Sequence, residues 1–504
     1  MAATDPERMP VIVGVGQIND RPEDPEQGLD SLGLMTHALR RAAEDAGGEG
    51  WLADLDSLAT TAQISCPQLG DPTPALAQAL GATPAHIHTT PTASGDGPIR
   101  LLNEAANRIG AGEAKICAVA GAEALRTAAH LTRKALAEGR EPPYKPVAEV
   151  AAAAASPIRR RYGLLAPVDV YPLYEAATRA AWGQSLAEAQ AETGAIWSRF
   201  AQVAAASDGA WIKRGATAEQ ILEAGPDNRP IAHPYLKLMV ANSSVNQGAG
   251  FLVTSLAEAR RRGVPEDRLI HVGAGAAGHE PADPLLREGF DASPSMAAAL
   301  TKTLEFNNIE TGELDHVELY SCFPCVPKMA RRIIGWPEDR PATVFGGLTF
   351  GGGPIGNYMA HAVVEMVLKL RREGRLGLLF ANGGFATKNH AIVVSREPIP
   401  GAAFPRDFDV QAQADAARRP APELVEEMPG PARIESFTVL YDRKGAPRWG
   451  VVVARSLDGA RRSVARIPAE DAAGIALLTD GTVEPVGTEG VIDPAGDGDQ
   501  VWRR

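Results

Sequence analysis

The chain has 504 residues, 50 Lys+Arg against 62 Asp+Glu, a formal net charge of −12, and 45% hydrophobic and 22% charged residues. That balance is ordinary for a soluble globular protein, with room for about three domains of roughly 150 residues. The absence of a long basic run argues against a nucleic-acid partner, no apolar run approaches the ~20 residues of a membrane span, residues 1–10 lack a leader pattern, and four cysteines make no disulfide framework, so a reducing cytoplasm is expected.

In chain order, residues 10–16 read as a buried strand running into glycines. An amphipathic helix is predicted over 34–46 and a strand over 55–62. The turn Gly95-Asp96-Gly97-Pro98-Ile99 opens an Ala-rich helix, and residues 116–121 form the next buried strand. Residues 125–230 are polar and helical with breaks at Pro142, Pro143, Pro157 and Pro172, which reads as an insertion with little sheet. Residues 238–256 return to the sheet, residues 271–275 end another strand, and a second α/β unit runs over 293–395. Beyond Glu397, closely spaced prolines from Pro398 to Pro431 mark a crossing segment. Turn signals at Lys444-Gly445 and Asp458-Gly459 then predict an all-β, barrel-like domain of roughly 70 residues. The expected organisation is two α/β halves, 1–265 and 266–400, a linker over 401–432, and a small β domain over 433–504.

The chain says one thing twice. Gly351-Gly352-Gly353-Pro354-Ile355 repeats the turn at Gly95, again ahead of a helix and a buried strand ending in glycine, 378–384. Upstream, Met35 to Glu44 matches Met296 to Glu305, and Leu55-Asp56-Ser57-Leu58 matches Leu314-Asp315-His316-Val317. A repeat about 260 residues long is far beyond a solenoid period and indicates a duplicated α/β domain.

These features, in order and spacing, resemble the thiolase superfamily over residues 8–397. Thiolases carry Cys-x-Ser-Gly; here stands Thr92-Ala93-Ser94-Gly95. Their Asn-Ala-Ser-x-x-Asn-Asp-Gly-Ala falls on Asn242 to Ala249, their Asn-Glu-Ala-Phe or His-Asp-Cys-Phe on Tyr320-Ser321-Cys322-Phe323. Their Gly-Gly then Gly-His-Pro falls on Gly346-Gly347 then Gly352-Gly353-Pro354, and their Cys-x-Gly on Ala381-Asn382-Gly383. With its tail, the chain is most similar to thiolase-like proteins of type 1, commonly labelled acetyl-CoA acetyltransferases. The resemblance implies a duplicated, mostly parallel, five-layer α/β/α/β/α fold with an insertion domain. It also implies an acyl-CoA acyltransferase acting in lipid metabolism, with coenzyme A thioester as substrate or ligand and no covalently bound cofactor or metal. Pairing of two copies through the sheet edge is a further implication.

Every reactive position of that family is altered. Thr92 replaces the nucleophilic Cys, Gly353 the His, Ala381 the acid/base Cys, and Tyr320 the residue that holds an oxyanion-site water. A threonine hydroxyl needs an adjacent base, and the sequence shows none, so Thr92 also reads as a residue filling the former Cys space. The polar groups left as catalytic candidates are Tyr320, Tyr358, His361, Asn382 and Thr92. Ser243, Asn246, Gly352, Gly353, Gly383 and Asn357 are candidates for the thioester and pantetheine. Tyr358 and His361, three apart, are expected to share a helix face. A superfamily branch without catalytic Cys cleaves β-hydroxyacyl-CoA by retro-aldol chemistry and works with a separate oligonucleotide/oligosaccharide-binding-type domain. Tyr320 and Tyr358 resemble its two tyrosines, so a lyase and a non-catalytic thioester binder stand beside the acyltransferase. Cys322 and Cys325 form Cys-x-x-Cys, read as core thiols for want of a second ligand pair. Arg159-Arg160-Arg161 reads as a solvated charge run or a phosphate grip.

Overall fold

The computed structural model describes residues 5–48, 50–144, 147–496 and 498–504. The first half runs β1 (Pro10–Asn19), α1 (Ser31–Asp45), α2 (Gly50–Ala53), β2 (Ser57–Thr60), α3 (Thr73–Leu80), β3 (His86–Thr89), α4 (Gly97–Ala111) and β4 (Ile116–Ala124). Six helices follow: α5 (Leu125–Ala137), α6 (Val147–Ala154), α7 (Pro157–Tyr162), α8 (Pro167–Ala181), α9 (Leu186–Ala206) and α10 (Ala218–Leu222). A short hairpin, β5 (Pro230–Ala232) and β6 (Tyr235–Leu236), leads to β7 (Asn246–Ser255) and α11 (Leu256–Arg261). The second half comprises β8 (Ile270–His279), α12 (Pro294–Asn307), β9 (His316–Leu319), α13 (Cys325–Ile334), α14 (Tyr358–Arg372), β10 (Leu376–Gly383) and β11 (Lys388–Ser395). The tail holds α15 (Gln411–Ala416), β12 (Glu423–Leu424), β13 (Gly430–Tyr441), β14 (Pro447–Ser456), β15 (Arg461–Pro468), α16 (Ala472–Thr479), β16 (Glu489–Pro494) and β17 (Gln500–Arg503).

The duplication is visible in the sheet. Strand order is β3-β2-β4-β7-β1-β8-β11-β10-β9, so β2-β4-β7-β1 and β9-β10-β11-β8 are mirror-ordered copies. The halves meet where β1 and β8 pair antiparallel at Val11–His271 and Ile12–Ile270. In each copy one parallel pair, β2/β4 or β9/β10, is followed by two antiparallel ones. The expected mostly parallel sheet is therefore a mixed one. Strands covered on both faces are apolar throughout, and that pattern is blind to direction.

Equivalent positions make equivalent bonds. Asp56 Oδ2 accepts the N–H groups of Lys115 and Ile116 at 2.8 and 3.0 Å, and Asp315 Oδ2 accepts those of Arg375 and Leu376 at the same distances. Each aspartate thus anchors the start of the inner strand of its copy. The outer helices α1 and α12 begin at side-chain caps, Asp30 on Gly33 N at 2.7 Å and Ser293 on Met296 N at 3.3 Å. Leu34, Met35 and Leu39 of α1 pack on Val11, Val13 and Leu58. The central layer is α4 and α14, whose Ile99, Leu102, Met359, Val363 and Met366 fill one core with Val119, Phe251, Leu378 and Phe380 from both halves. Outer helix, sheet, central helices, sheet and outer helix make five layers.

The tail closes a barrel in the order β13-β14-β15-β17-β16-β13, with β15 and β17 parallel and the remaining pairs antiparallel. Helix α16 lies between the third and fourth strands, which makes this a closed five-stranded barrel of the oligonucleotide/oligosaccharide-binding type. The expected all-β tail thus contains a helix, since Ala472–Thr479 caps the barrel with Ile475, Leu477 and Leu478. Two flanking segments add strands. Within 401–432, β12 pairs parallel with β15, and Ala232 of the β5 hairpin pairs with Leu440 of β13. His233 N donates to Val439 O at 2.8 Å. Arg462, fully buried, joins the barrel to the second half: it meets the Glu435 carboxylate at 2.6 Å and donates to the carbonyls of Leu285 and Arg287. Among the described residues no helix is long and apolar enough to cross a membrane.

Candidate functional site

The two Gly-Pro-Ile turns pack against each other in the central layer. Gly356, at φ +78°, presses on the first turn so closely that a Cβ there would lie 3.1 Å from Ala93 Cα. Gly95 is tighter still. A Cβ on it would lie 2.2 Å from the Tyr320 hydroxyl and 2.3 Å from the Asn382 carbonyl oxygen. Only glycine fits where the first turn meets Tyr320 and the end of β10. Two residues on, α4 begins, its positive end turned to this region. Gly383 closes the third side, with Ser94 Oγ and Asp96 Oδ1 at its α-carbon face.

Of the predicted residues, Tyr320 stands here. It is 7% exposed, and its hydroxyl makes no hydrogen bond among the described residues. Burial holds that hydroxyl well above the usual phenol range, so it stays a proton donor. Its ring meets Tyr358 edge-on at 5.8 Å and 88°.

Tyr358 and His361 are not brought together. Helix α14 lies between the two sheets, and its polar side chains divide between them. Tyr358 donates to Glu318 Oε1 on β9 at 2.8 Å, while His361 Nδ1 lies 2.8 Å from Gln17 Oε1 on β1. Gln17 Nε2 donates to Glu365 Oε1 at 2.7 Å, which turns the Gln17 oxygen to the ring and makes His361 Nδ1 the donor. Burial pushes His361 down to about 3, so it is neutral, with Nε2 unprotonated and unpartnered among the described residues. Both side chains are buried to 1% exposure or less.

Asn382 is also committed, accepting from Tyr171 at 2.8 Å and donating to Asn389 Oδ1 at 2.9 Å. Asn357 Nδ2 donates to Gly121 O at 2.5 Å. Asn246, expected to line a tunnel, is fully buried and tied to Thr127 through its Nδ2 at 2.9 Å. Ser243 is exposed. Gly352, at φ +107°, takes the left-handed conformation against Gln247, and Gly353 N donates to Asn242 O at 2.8 Å. Ala381 is fully buried inside β10.

Thr92 is exposed and fills no buried space. Its hydroxyl lies 3.5 Å from Lys388 Nζ, a group the sequence reading did not single out. Glu318 was missed too. It is fully buried, accepts Thr343 Oγ1 at 2.7 Å and Val344 N at 3.0 Å as well as Tyr358, and burial pushes it up to about 7. A lone carboxylate inside the short apolar strand His316-Val317-Glu318-Leu319, just before Tyr320, was the available signal.

The arginine run is not a solvated stripe. Arg159, 4% exposed, donates to Leu164 O and Leu165 O and lies over the Phe385 ring at 4.3 Å; Arg160 donates to Ala155 O and Arg161 to Gly498 O. All four cysteines are free and buried. Desolvation pushes Cys117 and Cys322 up to about 12 and raises Cys66 and Cys325, so none is a thiolate at neutral pH.

Residues 409–497 match the family described as thiolase-like protein type 1 additional C-terminal domain. A monomeric SCP2-thiolase-like protein type 1 from Mycobacterium smegmatis is 30% identical, with coverage of 99% of this chain and 100% of that one, at a TM-score of 0.82. The Ltp2–ChsH2(DUF35) aldolase, at 17% identity, 78% and 99% coverage and a TM-score of 0.61, shares the fold. So does the dimeric peroxisomal thiolase of Saccharomyces cerevisiae, at 14% identity, 78% and 99% coverage and a TM-score of 0.55. No curated protein matches the chain. Duplicated sheet, glycine turns, appended barrel and full-length likeness agree: the chain belongs to the SCP2-thiolase-like proteins of type 1.

Proposed function

We propose that the chain binds a coenzyme A thioester between its two glycine turns and performs no cysteine-dependent acyl transfer. One observation carries this: donors for a carbonyl oxygen stand at the first turn, and the groups that attack a carbonyl are gone. The α4 N-terminus and the free Tyr320 hydroxyl face the Gly95 turn, and such donors hold a thioester oxygen without a thiol. The nucleophile and acid/base positions carry Thr92 and Ala381, and the four thiols are buried and protonated. The acyl-CoA would belong to lipid metabolism in a reducing cytoplasm. Edge strand β3, exposed at Ile87, leaves the sheet open to a second copy; the M. smegmatis relative is described as monomeric.

A second reading, a retro-aldol lyase on β-hydroxyacyl-CoA, is favoured by the Tyr320 hydroxyl and by the Tyr358–Glu318 pair behind it. In that reading Tyr320 alone touches substrate, and His361 does not reach it. Mass spectrometry after incubation with a β-hydroxyacyl-CoA, and separately with acetoacetyl-CoA plus free CoA, separates the readings. Bound thioester without product is expected. Cleavage of the first substrate establishes the lyase, and acyl transfer in the second overturns the proposal.

A further inference from the structure

Lys388 opens β11 directly opposite Gly383 of β10. Its ammonium reaches 3.5 Å from Thr92 Oγ1, at the position where the thiolase resemblance places a nucleophilic sulfur. Lys388 is half-buried and makes no ion pair among the described residues. Of the neighbouring carboxylates, Glu280 is held by Ser293, Ser295 and Arg418, while Asp96, buried at the start of α4, accepts Ser94 Oγ and makes no ion pair among the described residues. A half-buried ammonium without an ion pair keeps its donors for a ligand anion.

The sign of the site is thus reversed. A thiolase turn presents an anion here, whereas this chain presents a neutral hydroxyl backed by a cation. A neutral acyl chain gains nothing from that cation, but a carboxylate forms a charge-assisted hydrogen bond with it and a second bond with the Thr92 hydroxyl. Resting on the thioester reading above, we propose that Lys388 and Thr92 receive a carboxylate on the acyl group, which makes the site selective for the CoA thioesters of dicarboxylic acids.

The test compares matched acyl groups on the full chain by isothermal titration: malonyl-CoA against propionyl-CoA, and succinyl-CoA against butyryl-CoA. At least one carboxylated member is expected to bind about 10-fold or more tightly than its neutral partner, the scale of one charge-assisted bond. Lys388→Gln should erase that difference and Lys388→Arg should keep it. Equal affinities within both pairs overturn the inference. So does a Lys388→Gln variant that weakens free CoA and all four esters alike, since Lys388 then serves the nucleotide end. If the unaltered protein binds none of the four esters, the thioester reading itself falls.

Discussion

Replacing Glu318 with Gln should change how stability depends on pH, and the buried geometry sets the size of the effect. The carboxyl sits in the core between Tyr358, Thr343 and Val344. Desolvation raises it to about 7, against the pull of those three donors. In the unfolded chain a glutamate titrates near ~4.3. Between those values the native state holds a proton that the unfolded state has released. Stability is therefore full below about pH 4.3 and falls as pH rises through about 7, by about 1.4 kcal/mol per pH unit, or roughly 4 kcal/mol in all. Gln cannot titrate. It keeps an oxygen for the Tyr358 hydroxyl but turns its amide toward Val344 N–H, a cost that is constant with pH. Guanidinium unfolding at pH 5, 6, 7 and 8 should give a Glu318→Gln variant that loses less stability than the parent across the series, the gap closing or reversing by about 2 to 3 kcal/mol. Parallel curves for the two proteins would refute the buried, raised carboxyl. Glu123, likewise pushed up to about 7 by burial, supplies a second slope that the Glu318 change leaves in place.

Gly95→Ala drives a methyl to 2.2 Å from the Tyr320 hydroxyl and 2.3 Å from a main-chain carbonyl that cannot rotate away. It should cost about 1–3 kcal/mol in denaturant titration and abolish thioester binding; adding Tyr320→Phe should not rescue it, because the carbonyl remains. Arg462→Met leaves Glu435 with Arg455 alone and frees the Leu285 and Arg287 carbonyls. Loss of about 3–5 kcal/mol is expected, read as a lowered Tm in calorimetry, and an unchanged Tm would show the contact to be dispensable. Iodoacetamide at neutral pH should leave the native protein unmodified and add four groups after denaturation, by intact mass; rapid labelling of one native thiol would restore a cysteine to the chemistry.

The duplication was readable because glycine turns leave a sequence trace: Gly95 and Gly351 mark the starts of α4 and α14, and the paired aspartates Asp56 and Asp315 lie in a matching tetrapeptide. Strand direction left no trace, since β7 and β11 are buried on both faces. Tyr320 could be placed from its motif, whereas Glu318 and Lys388 are single ionisable residues whose meaning comes from what lies across the fold. Helical spacing put Tyr358 and His361 on one face, but what packs on either side of α14 determines where each side chain bonds. The barrel strands were visible by alternation. The two-residue β12 and the β5 hairpin were not, because strands so short are created by the partner they pair with.

The pairing of Ala232 with Leu440 also imposes an order of events on the ribosome. The hairpin is made about 200 residues before the strand it joins, an interval of about 10–40 s at usual rates of synthesis. For that time the segment lacks the strand it pairs with. Strand β13 therefore covers a segment made long before it, and a chain cut ahead of β13 would carry two built halves and an uncovered, aggregation-prone seam.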